Sequence, residues 1–241
     1  VKGSGKNGRI TVDDVEAHAS RDAEPEEKTK ETKKEAAPAA RPALAAPEST
    51  GEDRREALSG VRKKTAEHMA RAWPAVPHVT HFDKADITAF EKFRKQQGKE
   101  EGGAHLTVTA LVLRVLGAAL REFPQFNASV DMDKGETIYR ASVNVGVAVD
   151  TDRGLLVPVV RDVDTKSLTA LAIELGELAE KARKGALKLD DMRGGTFTVT
   201  NLGGIGGTAF TPIVNVPEVA ILGLARASIE PVFENGQFVP R

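Results

Sequence analysis

Residues 19–50 set the strongest limit on the fold, because this stretch contains almost no side chain that could enter a hydrophobic core. Leu44 is its only large apolar residue, and Ala, Pro, Glu, Lys, Ser and Thr make up most of the rest. Such a segment cannot bury enough apolar surface to offset the entropy of ordering it. We therefore predict a flexible linker over residues 19–53, between a short folded piece at residues 1–18 and a main domain at residues 54–241.

The composition excludes several classes of function. The chain has 34 Lys and Arg against 35 Asp and Glu, whereas a nucleic-acid-binding domain needs a net basic surface. It has no cysteine, which excludes disulfides, Cys-ligated zinc, iron–sulfur clusters and a cysteine nucleophile. No apolar run approaches the roughly 18 residues of a membrane span, and the residues after Val1 do not resemble a signal peptide. We expect neither nucleic acid nor a membrane as a partner.

Residues 3–8, GSGKNG, match the GxGxxG pattern of dinucleotide-binding loops. That pattern requires a preceding strand, and only two residues come before it; a phosphate-binding P-loop would need Ser or Thr where Asn7 stands. We interpret the glycines as tight turns that precede a short helix. Lys6 and Arg9 then form a small basic surface that is expected to face an acidic partner.

The main domain shows both helical and strand periodicity, without regular βαβ alternation. This mixture predicts an α/β or α+β sandwich with a mixed sheet. Thr88 and Glu91 form a predicted capping box, and the helix near residue 115 is apolar almost all round and is expected to be buried. Helices are predicted at residues 59–72, 88–97, 106–123 and 167–184, and strands at residues 78–86, 143–150, 155–160, 196–201 and 219–225.

The histidines offer no obvious catalytic or metal site. None of the five lies in an HExxH motif. His78 and His81 stand three residues apart on a predicted strand, so their side chains are expected to point to opposite faces. We therefore predict no metal centre and no general base from these residues alone.

Thr200 is a stronger candidate, because it ends a predicted strand immediately before the glycine-rich loop at residues 203–207. A hydroxyl in that position is able to donate a hydrogen bond to a developing oxyanion. The alternative is a row of threonines on a solvent-facing strand, which is common because threonine favours strands. The residues alone leave both interpretations open.

Residues 194–203, 207–215 and 217–223 closely resemble the dihydrolipoamide acyltransferases, the core components of 2-oxo acid dehydrogenase complexes. The resemblance extends through most of the chain in the family's order. Residues 77–80, 123–129, 149–151 and 154–159 match the same family, and residues 3–15 are similar to the second half of its peripheral subunit-binding domain.

The resemblance implies a chloramphenicol-acetyltransferase-like sandwich that forms homotrimers, which assemble into a cubic or icosahedral core. Active sites of the family lie between trimer subunits, where dihydrolipoamide on a swinging lysine meets coenzyme A. A histidine from an HRxxDG motif deprotonates the coenzyme A thiol, and a Ser or Thr hydroxyl stabilises the oxyanion. By motif match that hydroxyl is Thr200, and Asp150 lies in a matching segment near the site.

Residues 210–213, FTPI, resemble the acetyl branch of the family, which serves pyruvate, more than the succinyl or branched-chain branches. The resemblance also implies the decarboxylase and dihydrolipoamide dehydrogenase components as partners of Lys6 and Arg9, lipoyl as cofactor on another domain, no metal, and a bacterial cytoplasmic location.

The sequence departs from the family pattern because it contains neither an HRxxDG motif nor a lipoyl domain. It is therefore expected to be a fragment that is inactive alone. Three alternatives remain: a related acyltransferase for succinyl or branched-chain acyl groups, a free acyltransferase of the chloramphenicol type, and a scaffold subunit that shares the fold without activity.

Overall fold

The computed structural model describes residues 12, 51, 54–97 and 105–241. The chain divides into two compact units, Val1–Arg55 and Glu56–Arg241, and the second contains the helices and strands that follow. Lys6, Arg9 and residues 19–50 lie outside the described residues, so the predictions for the subunit-binding piece and the linker stay predictions.

Hydroxyl side chains begin three of the four α-helices among the described residues of this unit. Ser59, Thr107 and Ser167 each accept a hydrogen bond from the backbone N–H three residues later, which satisfies one of the free donors at a helix start. The helices are α1 (Gly60–Ala75), α2 (Thr88–Gln97), α3 (Val108–Glu122) and α4 (Leu168–Arg183), with one-turn 3-10 helices at Pro124–Phe126 and Leu189–Met192.

A four-stranded mixed sheet forms the centre of the unit, in the order β4-β3-β5-β6. Strands β3, β5 and β6 are parallel, and β4 is antiparallel to β3. The mixed sheet and the α/β class are therefore confirmed. The strands are β1 (Ala128–Asp131), β2 (Glu136–Tyr139), β3 (Val145–Val147), β4 (Val159–Val160), β5 (Phe197–Asn201), β6 (Ile221–Leu224), β7 (Pro231–Glu234) and β8 (Gln237–Pro240).

Helices α3 and α4 supply the hydrophobic core on one face of this sheet. Leu113 and Leu171 are fully buried and belong to the same cluster as Phe197 and Val199 of β5. Gly117 allows α3 to approach the chain before α4, because a Cβ there would lie 2.8 Å from the Cα of Asp164. The alternation of β5 therefore directs Phe197 and Val199 into the core and its threonines to the opposite face.

The predicted strand at residues 78–86 is wrong. This segment is irregular, and Val79 is 95% exposed. His78 instead bonds to two backbone groups, the carbonyl of Val76 (2.8 Å) and the N–H of Val214 (3.0 Å). An alternating sequence forms a strand only where another strand pairs with it, and none of the described strands pairs with this segment.

Three smaller expectations are also wrong. The capping box of α2 does not form, because Asp86 accepts the hydrogen bond from the N–H of Thr88 while Glu91 binds Arg94. Helix α3 is buried on one side only, and Val115 is exposed. The predicted strand at residues 155–160 is shorter, since only β4 forms a ladder there and Leu156 makes one isolated bridge to Val149.

Candidate active site at the end of the parallel strands

Thr200 lies near the carboxyl end of β5, the middle of the three parallel strands, and its side chain is half-buried. The carboxyl ends of parallel strands meet at the same edge of a sheet, which is where open α/β sheets bind ligands. Gly223 of β6 stands opposite Thr200, and a Cβ at this glycine would lie 2.7 Å from the Cζ atom of Phe210. The missing side chain therefore lets the Phe210 ring lie against β6 beside Thr200.

The glycine-rich loop after β5 is anchored through Asn201. The side-chain oxygen of Asn201 accepts a hydrogen bond from the N–H of Gly203 (2.7 Å), and its amide donates to the hydroxyl of Thr109 in α3 (3.0 Å). Gly206 and Gly207 have φ angles of 123° and 92°, which other residues rarely adopt. Asn201 and these glycines thus fix the path of the loop as it leaves β5, directly after Thr200 in the sequence.

Asp150 is exposed and lies three residues beyond β3. Ala148 donates a backbone hydrogen bond to the carbonyl of Val199 (2.9 Å), so the chain after β3 continues beside the end of β5. The structure therefore brings Asp150 and Thr200 to the same edge of the sheet. Their catalytic roles stay predictions.

The threonine face of β5 is largely covered, which removes the premise of the alternative interpretation of Thr200. Thr196 and Thr198 are only 7% and 2% exposed. The hydroxyl of Thr196 donates to the backbone carbonyl of Asn144 (3.1 Å) and that of Thr198 donates to the carboxylate of Glu218 (2.6 Å). These threonines do not form a solvent-facing row, and Thr200 alone approaches the open end of this face.

Glu218 is a buried carboxyl that the sequence analysis missed. Its side chain is 5% exposed, and burial raises its pKa from 4.5 to about 7, although hydrogen bonds from Thr198 and Asn215 oppose the shift. The Asn215 amide donates to its second oxygen at 3.1 Å. A single acidic residue within the apolar run after Pro217 was the available signal, because acidic side chains are rarely buried without partners.

Two histidines of the N-terminal part of the unit contact the loop before Glu218. Nε2 of His68, on α1, lies 2.9 Å from the side-chain oxygen of Asn215. Nε2 of His78 accepts from the N–H of Val214, while its Nδ1 donates to the carbonyl of Val76 and its ring stacks on Trp73 at 5.1 Å. Both imidazole rings therefore connect the region of α1 to the loop at residues 214–215.

An apolar cleft of about 330 Å³ lies between the end of α3 and strand β6. The cleft is lined by Leu116, Ala119, Leu120, Phe123, Phe126, Phe197, Ala220, Ile221 and Leu222. None of these side chains is titratable, so the cleft offers no group for acyl transfer.

No described helix has both the length and the apolar character to cross a membrane. Among the described residues, no group of three or more His, Asp and Glu side chains is arranged to hold a metal ion.

Comparison with known proteins places this geometry among acyltransferases. The sequence model described as 2-oxoacid dehydrogenases acyltransferase (catalytic domain) matches residues 50–241. The dihydrolipoyllysine-residue acetyltransferase component of the pyruvate dehydrogenase complex of Haemophilus influenzae is 41% identical across the whole chain. The chain spans 45% of the length of that relative.

Solved structures agree with this similarity. The dihydrolipoamide acetyltransferase of Azotobacter vinelandii, studied for the roles of a serine, a histidine and an asparagine in its catalytic mechanism, is 48% identical with a TM-score of 0.78 over 80% of each chain. The cubic core of a pyruvate dehydrogenase multienzyme complex matches with the same identity, TM-score and coverage. The chain therefore belongs to the 2-oxoacid dehydrogenase acyltransferases, of which residues 50–241 are catalytic-domain sequence.

Proposed function

We propose that the protein containing this chain transfers an acetyl group between dihydrolipoyl-lysine and coenzyme A in a bacterial, cytoplasmic pyruvate dehydrogenase complex. The family supports acyl transfer, and the named relatives support the acetyl group. Phe210 adds support from this chain, since it belongs to the segment that resembles the acetyl branch and its ring lies beside Gly223, opposite Thr200.

The observation that carries the proposal is the position of Thr200. Its hydroxyl lies near the carboxyl end of β5, at the open end of a face whose other threonines already have partners. When the thiolate sulfur of coenzyme A attacks the thioester carbonyl carbon, negative charge develops on the carbonyl oxygen. A hydroxyl held at the edge of the sheet stabilises that charge by donating a hydrogen bond to it. Collapse of the tetrahedral intermediate then expels the dihydrolipoyl sulfur, which takes a proton.

The coenzyme A thiol must first lose its proton, because a thiol with an ordinary pKa of about 8.5 is mostly protonated at neutral pH. His68 and His78 both bond to the loop at residues 214–215 and are unsuited to this role. The family resemblance assigns the base to a histidine of an HRxxDG motif, which this sequence does not contain. We infer that the complete gene product supplies that motif.

We also propose that the protein assembles into a trimer-based core. Several large apolar side chains are exposed on the single chain, among them Val79 (95%), Trp73 (61%) and Phe82 (57%), and a neighbouring subunit would cover them. The decarboxylase and dihydrolipoamide dehydrogenase components, together with a lipoyl domain, are the proposed partners.

Acetyl transfer from acetyl-dihydrolipoamide to coenzyme A, measured with the complete gene product, tests the proposal. Thr200→Ala should lower kcat by roughly 10²–10³, the usual loss when one oxyanion donor is removed. The KM for coenzyme A should change little, because the hydroxyl acts only as charge develops. Thr200→Ser keeps the donor and should retain most of the activity.

Two results would contradict the proposal. A parent protein without acetyl transfer would favour the scaffold alternative, and a Thr200→Ala protein with the parental kcat would remove Thr200 from the mechanism. Mass photometry of the same samples would show whether each variant still assembles.

A further inference from the structure

The hydrogen bonds around Glu218 connect helix α1 to strand β5 through a single carboxylate. Its Oε2 accepts from the hydroxyl of Thr198 (2.6 Å), and its Oε1 accepts from the amide of Asn215 (3.1 Å). The side-chain oxygen of Asn215 lies 2.9 Å from Nε2 of His68. The four side chains come from α1, β5 and the loop before β6, so they join three separate parts of the fold.

The direction of each bond follows from the chemistry of its partners. Since the nitrogen of the Asn215 amide donates to Glu218, its oxygen is left to accept, and Nε2 of His68 must donate to it. Thr198 also donates to Glu218. When Glu218 is ionised, its carboxylate is therefore the acceptor at which both branches of the network end.

Glycines on both sides leave room for these polar groups and fix their positions. A Cβ at Gly195 would lie 3.3 Å from Oε1 of Glu218. A Cβ at Gly146, which pairs with Thr198 across β3 and β5, would lie 3.2 Å from the Thr198 hydroxyl and 2.9 Å from a methyl group of Val157. The carboxyl and hydroxyl groups therefore occupy a closely packed site on the covered face of β5.

Thr198 and Thr200 are two residues apart on this strand, so their side chains share a face and are separated by about 6.6 Å along it. We propose that Glu218 is a positioning residue for acyl transfer: by holding Thr198 it fixes β5 against the loop at residues 215–218 and aims the Thr200 hydroxyl at the reacting carbonyl. This inference rests on the proposed function. Glu218 acts through the strand, and the reacting groups contact Thr200 instead.

The test compares kcat and KM for acetyl transfer by the complete gene product. Thr198→Val and Glu218→Met remove the hydrogen bond with little change in side-chain size. Each should lower kcat about 10-fold while the KM for coenzyme A stays within about twofold, because misplacing a transition-state donor affects the chemical step. Thr198→Ser keeps the bond, and Glu218→Gln keeps an acceptor for Thr198 when the Asn215 amide turns to accept from the new NH2 group; both should restore kcat to within about threefold of the parent.

Thr196→Val is the matched control, since it removes a buried hydroxyl one residue before β5 that bonds to the backbone of Asn144 and not to Glu218. Its kcat should equal that of the parent. In a Thr200→Ala background, Thr198→Val should cause no further loss of kcat, because the residue it positions is already gone.

Different outcomes separate this inference from the proposed function. Normal kcat for Thr198→Val together with a damaged Thr200→Ala protein would overturn the positioning role and leave the proposed function intact. Multiplying losses in the double variant would also overturn it, since they would indicate general damage. A Thr200→Ala protein with full activity would instead refute the proposed role of Thr200.

If Thr198→Val or Glu218→Met shows no cooperative thermal unfolding, the Thr198→Ser and Glu218→Gln variants decide. A tenfold loss of kcat in either would overturn the inference, and near-parental kcat in both would support it.

Discussion

Replacing Glu218 by Gln should change how the stability of the protein depends on pH. Burial raises the pKa of this carboxyl to about 7, compared with 4.5 for an ordinary Glu. Between these two values the folded protein keeps the proton that the unfolded chain releases. The free energy of unfolding should therefore fall as the pH rises from about 4.5 to about 7 and then level off.

The size of this effect follows from the two pKa values. A difference between 4.5 and about 7, at roughly 1.4 kcal/mol for each pKa unit, corresponds to about 3 kcal/mol of unfolding free energy across that interval. Glu218→Gln cannot titrate, so the variant should lose this decline whatever its absolute stability.

Urea unfolding at several pH values between about 4.5 and 8, with parent and variant at equal protein concentration, measures this dependence. Glu180→Gln is the control: Lys184 hydrogen-bonds to Glu180 and lowers its pKa, so its contribution has the opposite sign. Removing it should leave the parental decline in place. Equal slopes for the parent and for Glu218→Gln would refute the assignment of a raised pKa to this buried carboxyl.

Two glycines in helix interiors should respond oppositely to alanine. Gly117→Ala should lower the free energy of unfolding by about 1–3 kcal/mol, because the new Cβ meets the backbone at Asp164, whereas Gly176→Ala has open space around it and should raise stability by about 0.5–1 kcal/mol; urea unfolding measures both. Equal effects would contradict the close approach of α3. Reversing the charges of Lys6 and Arg9 should weaken binding to an acidic partner component and reduce the salt dependence of that binding, as measured by calorimetry at two salt concentrations. Unchanged affinity at low salt would remove these residues from the interface.

Local signals in the sequence were enough to predict the four described α-helices and the four strands of the central sheet, whereas the hairpins β1–β2 and β7–β8 were not predicted. The period of two at residues 196–201 gave strand β5 and its two faces, and Ser59 and Ser167 were available as caps beside periodic apolar residues. The same signals placed Thr200 at a sheet edge, and the family resemblance then assigned it as the oxyanion donor. These features depend on neighbours within a few residues.

Long-range contacts decided the irregular segment at residues 78–86 and the network around Glu218, which the sequence analysis missed. Residues 78–86 alternate like a strand, yet His78 bonds to Val214, a residue 136 positions further along the chain. The partner of Thr198 is Glu218, and His68 reaches the same network from α1. Periodicity carries no information about such pairs, so only the fold brings them together.

The way α1 is attached has a consequence for local unfolding. Ala72 is the only buried residue of α1, whereas α3 buries Ala110, Leu111, Leu113, Gly117 and Leu120. Two imidazoles, on α1 and just after it, bond to the adjacent residues Val214 and Asn215. In a single chain little apolar surface is exposed when α1 separates, so its opening there costs less free energy than unfolding the sheet. Such opening would break the hydrogen bond between His68 and Asn215. Asn215 would then hold Glu218 less firmly, and the bond from Glu218 to Thr198 on β5 would weaken while the hydrophobic core is still intact.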